Sequence, residues 1–584
     1  MNRMGRLLAV AEGFRHHLPV AVIALTYLWS VLAIVTYRTR EAPPGTITLR
    51  IGHWQLEASV REALDELAAD YARRNPRVRI VQDAIPESIY GQWVSTQLMG
   101  GTAPDILELG LGLPYHVWVS YYNRYFIPLT RHVNRPNPYN RDTELEGVPL
   151  RQTFKDGMRS SYVEEMQEYI NIPLSQFGVR IFYNRDLLEK LTGRSEAPQE
   201  YRAFLKVCEE IERHRDPRGR PYIAIAGSKY HLPMWESMLF DPLTYALHRR
   251  CDFNRDGFVG NDELYVAFRI GLVDFDHPAI RARFRMMREV TGHFQVGYTG
   301  LTRDEAVFLF AQQRAVFIST GTWDARSLQK QAEGRFRVGV MDFPLPRKDD
   351  PVYGSVVEGP IYERPLGGFP FGITRTSRHP EVALDFLLFL AGRQQNEKLN
   401  RIIGWIPSVR GAEMDPMLKA FEPHLVGVYG CLNFFLGGDT WIKWQQLYSA
   451  FQVGEIRYEE LAREFTPFYK EQGIKDFLEQ QRDWRRGMHV NEHFLADIRA
   501  RAMASSGDEA VSRWIKYRVL TTQRQVWPEI NHARQMKLLH DGPRRGGIGP
   551  YEYSARVRKA IEGRIRREMQ RQQPSRSGKG GGAT

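Results

Sequence analysis

Cysteine is scarce in this 584-residue chain: only Cys208, Cys251 and Cys431 occur. An odd, widely spaced trio builds neither a disulfide framework nor a zinc knuckle, so free buried thiols are expected. Catalytic signatures are missing as well. The histidines show no HExxH spacing, and no Ser-His-Asp set or pair of facing carboxylates declares itself. Nor is there net charge where a polyanion would need it. The chain as a whole carries +12, but residues 1–40 account for +4 and residues 544–584 for +8, leaving 41–543 formally neutral. A neutral body sets up no global field, which removes most support for nucleic-acid binding.

One long uncharged run is present. "LPVAVIALTYLWSVLAIVTY", Leu18 to Tyr37, would make about 30 Å of helix at about 1.5 Å per residue, the thickness of a bilayer core. Basic residues flank it, and no small-x-small cleavage site or lipobox cysteine follows. Residues 18–37 are therefore expected to be an uncleaved signal anchor, preceded by a short segment (1–17) and followed by a linker (38–45).

From Thr46 the pattern changes. "TITLRIGHW", "RVRIVQDAI" and "PDILEL" have strand character. They alternate with the helical stretches "SVREALDELAADYARRNP" and "SIYGQWVSTQLMGG", the second closed by Gly100 and Gly101. Strand and helix alternating at this spacing predict right-handed crossovers and a largely parallel sheet. Ligands of such sheets sit beyond the carboxyl ends of the strands. That places His53, Trp54 and Gln55, in the turn after the first strand, at the mouth of a site.

"GGTAPDIL", "VRIFYNRDLLEKLTG" and "APQEYRAFLKVCEEI" are followed in order by three more matching segments. These are "TRDEAVFLFAQQRAVFISTGTWDARSL", "GGFPFGITRTSRHPEVALDFLLFLAG" and "GWIPSVRGA". Together, over about 46–470, the chain resembles the family 1 extracellular solute-binding proteins, the maltodextrin-binding-protein-like receptors of ABC sugar importers. The resemblance implies an α/β, two-lobed periplasmic-binding-protein fold (type II-like), with ligand trapped by hinge closure. Lobe one would comprise 46–172 and 342–405, and lobe two 173–341 and 406–470.

The resemblance also implies which side chains hold a ligand. Sugars present apolar CH faces ringed by hydroxyls, so their sites combine aromatic platforms with polar edges. Trp323 in "STGTWD" and Trp441 in "GGDTWIKW" resemble the family's stacking tryptophans. His53, Trp54 and Gln55 occupy a polar-contact loop, and Tyr230 and Trp235 in "SKYHLPMW" lie near another. Phe177 stands where the maltodextrin receptor has a carboxylate, and "ELGLGLPYHVW" replaces its charged aromatic cluster. A different mono- or oligosaccharide is expected.

"CDFNRDGFVGNDEL" sets Asp252, Asn254 and Asp256 at alternate positions, with Gly257 at the sixth and Glu263 at the twelfth. This resembles the EF-hand loop. Ca²⁺ takes six to eight hard oxygens, and Asp252, Asn254, Asp256, the Phe258 carbonyl and Glu263 would supply them. One loop without a partner hand implies a structural clip between two helices.

Beyond 470 the resemblance ends. A helical, amphipathic extension is expected over 471–543, then a basic helix and disordered tail over 544–584. The expected protein is a non-enzymatic, monomeric receptor. It would sit in the inner membrane by one span, with its body on the periplasmic or extracellular side. It would bind a sugar and serve an ABC permease, with one structural Ca²⁺ and no nucleic acid. A sensor reporting to a signalling partner and a carbohydrate-active enzyme are the alternatives.

Overall fold

The computed structural model describes residues 26–30, 45–113, 115–363, 367–428 and 432–541, together with 559 and 563. Apart from 26–30, a helical stretch with Tyr27, Leu28 and Trp29 exposed, the expected membrane anchor lies outside the described residues. So do nearly all of the basic tail and Cys431. Among the described residues no helix is long and apolar enough to cross a membrane.

Twelve strands are described: β1 (Ile47–His53), β2 (Val78–Ala84), β3 (Ile106–Glu108), β4 (Tyr162–Val163), β5 (Glu168–Tyr169), β6 (Asn171–Gln176), β7 (Val179–Asn184), β8 (Ile223–Ala226), β9 (Ala315–Gly321), β10 (Val338–Met341), β11 (Gly367–Ile373) and β12 (Ile406–Pro407). They form a six-stranded sheet of order β12-β6-β11-β3-β1-β2, a four-stranded sheet of order β10-β7-β9-β8, and the β4–β5 hairpin. β1 pairs in parallel with β2 and β3, as the strand-helix alternation requires. β11, however, runs antiparallel to β3 and β6, and β12 antiparallel to β6, so the sheet is mixed and not the largely parallel one expected. The reason is that β11 returns from the second unit instead of through a local helical crossover. The intervening helix Ala58–Arg74 buries Val60, Ala63, Leu64, Leu67 and Tyr71, the apolar stripe of an amphipathic helix lying on a sheet. Helix Glu87–Gly100 ends as Gly101 turns left-handed, at φ 69°.

β6 belongs wholly to the first sheet and β7 to the second, so the chain crosses at Phe177–Gly178, not at 172/173. The crossing needs a glycine, because a Cβ on Gly178 would sit 2.7 Å from the Phe421 carbonyl oxygen. β12 pairs with β6, which carries the first unit past 405 to Pro407. The fold is mixed α/β, each sheet having its own core. Cys208 and Cys251 are free and buried, and burial pushes the Cys251 thiol up to about 12.

The second unit is enlarged by helices Tyr245–Cys251, Asn261–Arg269, Pro278–Thr291, Gly438–Val453 and Tyr458–Glu471. A helical extension follows, as Gly473–Met503, Gly507–Thr521, a π turn over Thr522–Val526, and Trp527–Asp541. Its long helix starts hard against the second core. A Cβ on Gly473 would meet the Tyr265 ring at 2.5 Å.

Candidate functional site

Between the two units lies a crevice of about 1370 Å³. One wall holds Glu57, Val60, Arg401 and Trp405, and the other Trp323 and Arg326. Trp323 opens helix Thr322–Ala332 directly after β9, and its ring covers Gly321 so closely that a Cβ there would overlap it. Phe177, at the crossing, packs edge-on to both tryptophans, with centroids 5.9 Å from Trp323 and 5.0 Å from Trp405. An aromatic cluster at the crossing thus reaches the crevice through Trp323 and Trp405.

At the carboxyl ends of β1 and β3 the turn that carries Trp54 and Gln55 is held by Glu108. Its carboxylate accepts from the Trp54 backbone N–H at 3.2 Å and from the Gln55 side-chain amide at 2.8 Å. Glu108 is fully buried, and burial drives its pKa well up, against the two hydrogen bonds. Trp54 is half-buried with its ring edge-on to Tyr90 at 5.1 Å. His53 points inward and is fully buried. Its Nε2 pairs with Gln82 Oε1 at 2.9 Å, and burial lowers its pKa.

The second unit contributes a charged group. Asp324 is 7% exposed and its pKa is raised by burial, with Arg303 opposing and the Thr320 hydroxyl donating to it. Burial would lower the Arg303 pKa, but Asp324, Asp304 and Glu57 outweigh it and raise it. Glu57 belongs to the first unit, so the two walls feel one another electrostatically. His231, which feels the Arg303 charge, is fully buried, with Nδ1 2.8 Å from Ser228 Oγ and no partner for Nε2 among the described residues.

The other expected ligand contacts separate. Trp235 is 0% exposed, packed edge-on to Phe343 at 4.9 Å within the second core, so it offers no face to a ligand. Trp441 lies on the surface of helix Gly438–Val453, 4.5 Å from Phe435, and is not among the side chains lining the crevice with Trp323. Tyr230 is exposed, with the Lys229 ammonium over its ring. Sequence reasoning passed over Glu108, Arg303, Asp324 and His231, although all four stand inside the segments "PDILEL", "TRDEA", "STGTWD" and "SKYHLPMW". In each segment the strand, helix or aromatic neighbour gives the stronger signal.

Burial, then Arg303, pushes the His231 imidazole down to about 4 from an ordinary 6.5. The unfolded chain therefore takes up a proton that the folded chain refuses. The stability this neutral imidazole contributes is complete above pH 6.5 and is lost as the pH falls towards 4, about 3 kcal/mol across that window. Urea unfolding at a series of pH values should show the decline, and His231→Gln should flatten it. Parallel curves for the two proteins would refute the assignment.

The acidic loop bridges helices Tyr245–Cys251 and Asn261–Arg269. Asp252 accepts from the N–H groups of Arg255 and Gly257, Asn254 from Asp256, and Asp256 from Phe258. Glu263, 2% exposed, reaches back to the N–H groups of Phe253, Asn254 and Gly260, and burial pushes its carboxyl up to about 8. Left-handed Arg255 (φ 64°) and Gly257 (φ 89°) produce the tight turn. The donors are all oxygen, the chemistry that suits Ca²⁺. They face loop amides, and no group of three or more His, Cys, Asp or Glu among the described residues is disposed to hold a metal ion. Turning the carboxylates from the amides to a cation is the rearrangement that binding would require.

The family described as bacterial extracellular solute-binding protein matches residues 66–422. Among curated proteins, the multiple sugar-binding protein of Streptococcus mutans is 18% identical over 401 residues, 68% of this chain and 84% of that protein. Among solved structures, apo RafE from Streptococcus pneumoniae is similar over 74% of this chain and 99% of its own, at 15% identity and a TM-score of 0.49. The sugar-binding protein MalE from Xanthomonas citri is similar over 75% of this chain and 98% of its own, at 17% identity and a TM-score of 0.49.

Proposed function

This chain belongs to the bacterial extracellular solute-binding proteins, and from that premise we propose that it is a carbohydrate receptor of an ABC importer. The observation that carries the reading is the crevice, where Trp323 and Arg326 stand across from Glu57, Glu62 and Glu66 of the first unit. Aromatic faces suit the CH side of a sugar ring, and carboxylates and guanidinium its hydroxyls. Support comes also from the Streptococcus mutans relative, whose name is that of a sugar-binding protein.

A ligand touching both walls binds the narrower crevice better and shifts the population towards it, and the permease would read that state. Residues 18–37 would tether the monomeric body to the outer face of the inner membrane, since their length and apolarity suit a bilayer. The loop would take one Ca²⁺ on Asp252, Asn254, Asp256, the Phe258 carbonyl and Glu263. Bound there, the ion would supply charge to a clip between two helices and no chemistry.

A thermal-shift screen of raffinose, galactose and a chitin oligosaccharide, run in EDTA and in millimolar Ca²⁺, tests both ideas. A bound sugar at about 100 times its Kd should stabilise by about 2.7 kcal/mol, and Ca²⁺ should raise Tm in wild type but not in Asp252→Ala. No shift with any sugar at millimolar concentration counts against the carbohydrate reading. Identical melting in EDTA and Ca²⁺ removes the ion.

A further inference from the structure

Residues 507–541 form one nearly continuous helical rod, interrupted only by its π turn and about 50 Å long at the usual rise per residue. Its two halves touch different units. In the first half, Lys516 pairs with Glu168 of β5, and Glu509 faces Arg131 at 4.0 Å. At the π turn, Arg524 donates to the Glu165 carbonyl in the turn of the β4–β5 hairpin. In the second half, Arg534 donates to the Phe253 carbonyl at 2.7 Å, and Gln535, 3% exposed, donates to Asp262 at 2.7 Å. Leu538 and Leu539 pack against the second core.

The ends are unequal. The second is rooted by apolar packing and by the long helix Gly473–Met503, to which Arg485 and Glu529 add a two-pronged ion pair at 3.0 and 3.1 Å. Leu495, Ile498 and Leu520 give the extension a small core of its own. The first end holds the hairpin and Arg131 through polar contacts: Glu509–Arg131 is exposed, weak and screened by salt, and Lys516–Glu168 is more sheltered and screened less. The hairpin is no passive surface. Val163 and Met166 belong to the apolar cluster against which Trp54 packs, so the hairpin is part of the first unit's packing and not a loose flap.

We propose that the rod 507–541 is a strut with a releasable latch, which sets the width of the crevice and thereby the affinity of the site. The proposal rests on the receptor reading, because a latch matters only if the two units move against each other. Lys516–Glu168 and Arg524–Glu165 stabilise the width described here. A ligand that prefers a different width has to overcome them, and its affinity falls by the same factor that the latch adds to the equilibrium.

The test uses the full chain, spin-labelled at Thr96→Cys in the first unit and Lys206→Cys in the second, both exposed positions. Interlobe distances are measured by pulsed EPR without ligand, at about 0.05 M and about 0.5 M salt. Lys516→Glu should broaden and shift the distribution, as should high salt, and Lys516→Glu with Glu168→Lys should restore it. Arg524→Gln is an independent lever that leaves the ion pair intact. For whichever of raffinose, galactose or chitin oligosaccharide binds, releasing the latch should change Kd about fivefold. Distributions for Lys516→Glu and Arg524→Gln that superimpose on wild type overturn the strut, even if a sugar binds. Distances that respond while no sugar binds leave the strut standing and fault the carbohydrate reading instead.

Discussion

Replacing Arg180 with alanine is expected to cost about 3–5 kcal/mol of stability, read as a lower urea midpoint. Arg180 lies on β7, two residues past the crossing at Gly178, and is fully buried. Its guanidinium grips both oxygens of Glu363 at 2.5 and 2.9 Å and donates to the carbonyls of Ala420 at 2.8 Å and Glu422 at 2.9 Å. Asp342 lies 2.7 Å from its Nε. The residues it gathers, 342, 363 and 420–422, come from the segments that run between the two sheets. Truncation leaves the mostly buried Glu363 without its counter-charge, and that desolvated carboxylate dominates the cost. Arg180→Lys should recover little, since an ammonium cannot reproduce the fork. Arg180→Met with Glu363→Leu should recover most of the loss, because no charge is then buried alone. A single-variant loss below about 1 kcal/mol would mean that the pair behaves as a solvated surface bridge.

Two tryptophans that look alike in the sequence should part in experiment. Trp235→Ala is expected to remove about 3–5 kcal/mol of stability, because its ring fills the second core between Phe204, Phe294 and Phe343. Trp323→Ala should act on ligand instead, weakening the affinity of a bound sugar by about 2 kcal/mol, some thirtyfold, since its ring is part of the crevice wall. Calorimetric titration beside thermal melting separates the two effects. If Trp323→Ala binds like wild type, the crevice is not where the sugar sits.

The difference between these residues shows why only part of the site was legible in the chain. The turn after β1 could be located because strand alternation and the following amphipathic helix fix where the backbone emerges, and that position is local. Whether a side chain at such a position faces out is not local. His53 and Gln55 both end up buried, one against Gln82 and the other against Glu108, and those partners come from separate strands. Glu108 went unnoticed because a lone Glu closing an apolar strand gives no periodic signal. Its role exists only once β3 is laid beside β1.

By itself the sequence determined the order of the first three strands and the helices between them, the neutral body between basic ends, and the tight turn at Gly257 of the acidic loop. Each of these follows from spacing, backbone preference or charge count within a short stretch. The tertiary structure alone decided that Trp441 stays apart from Trp323, that Glu57 and Arg303 share a field, and that the rod 507–541 lies on both units. Those depend on contacts between residues far apart along the chain, where burial and pairing are set by the packing of whole elements and leave no local pattern to read.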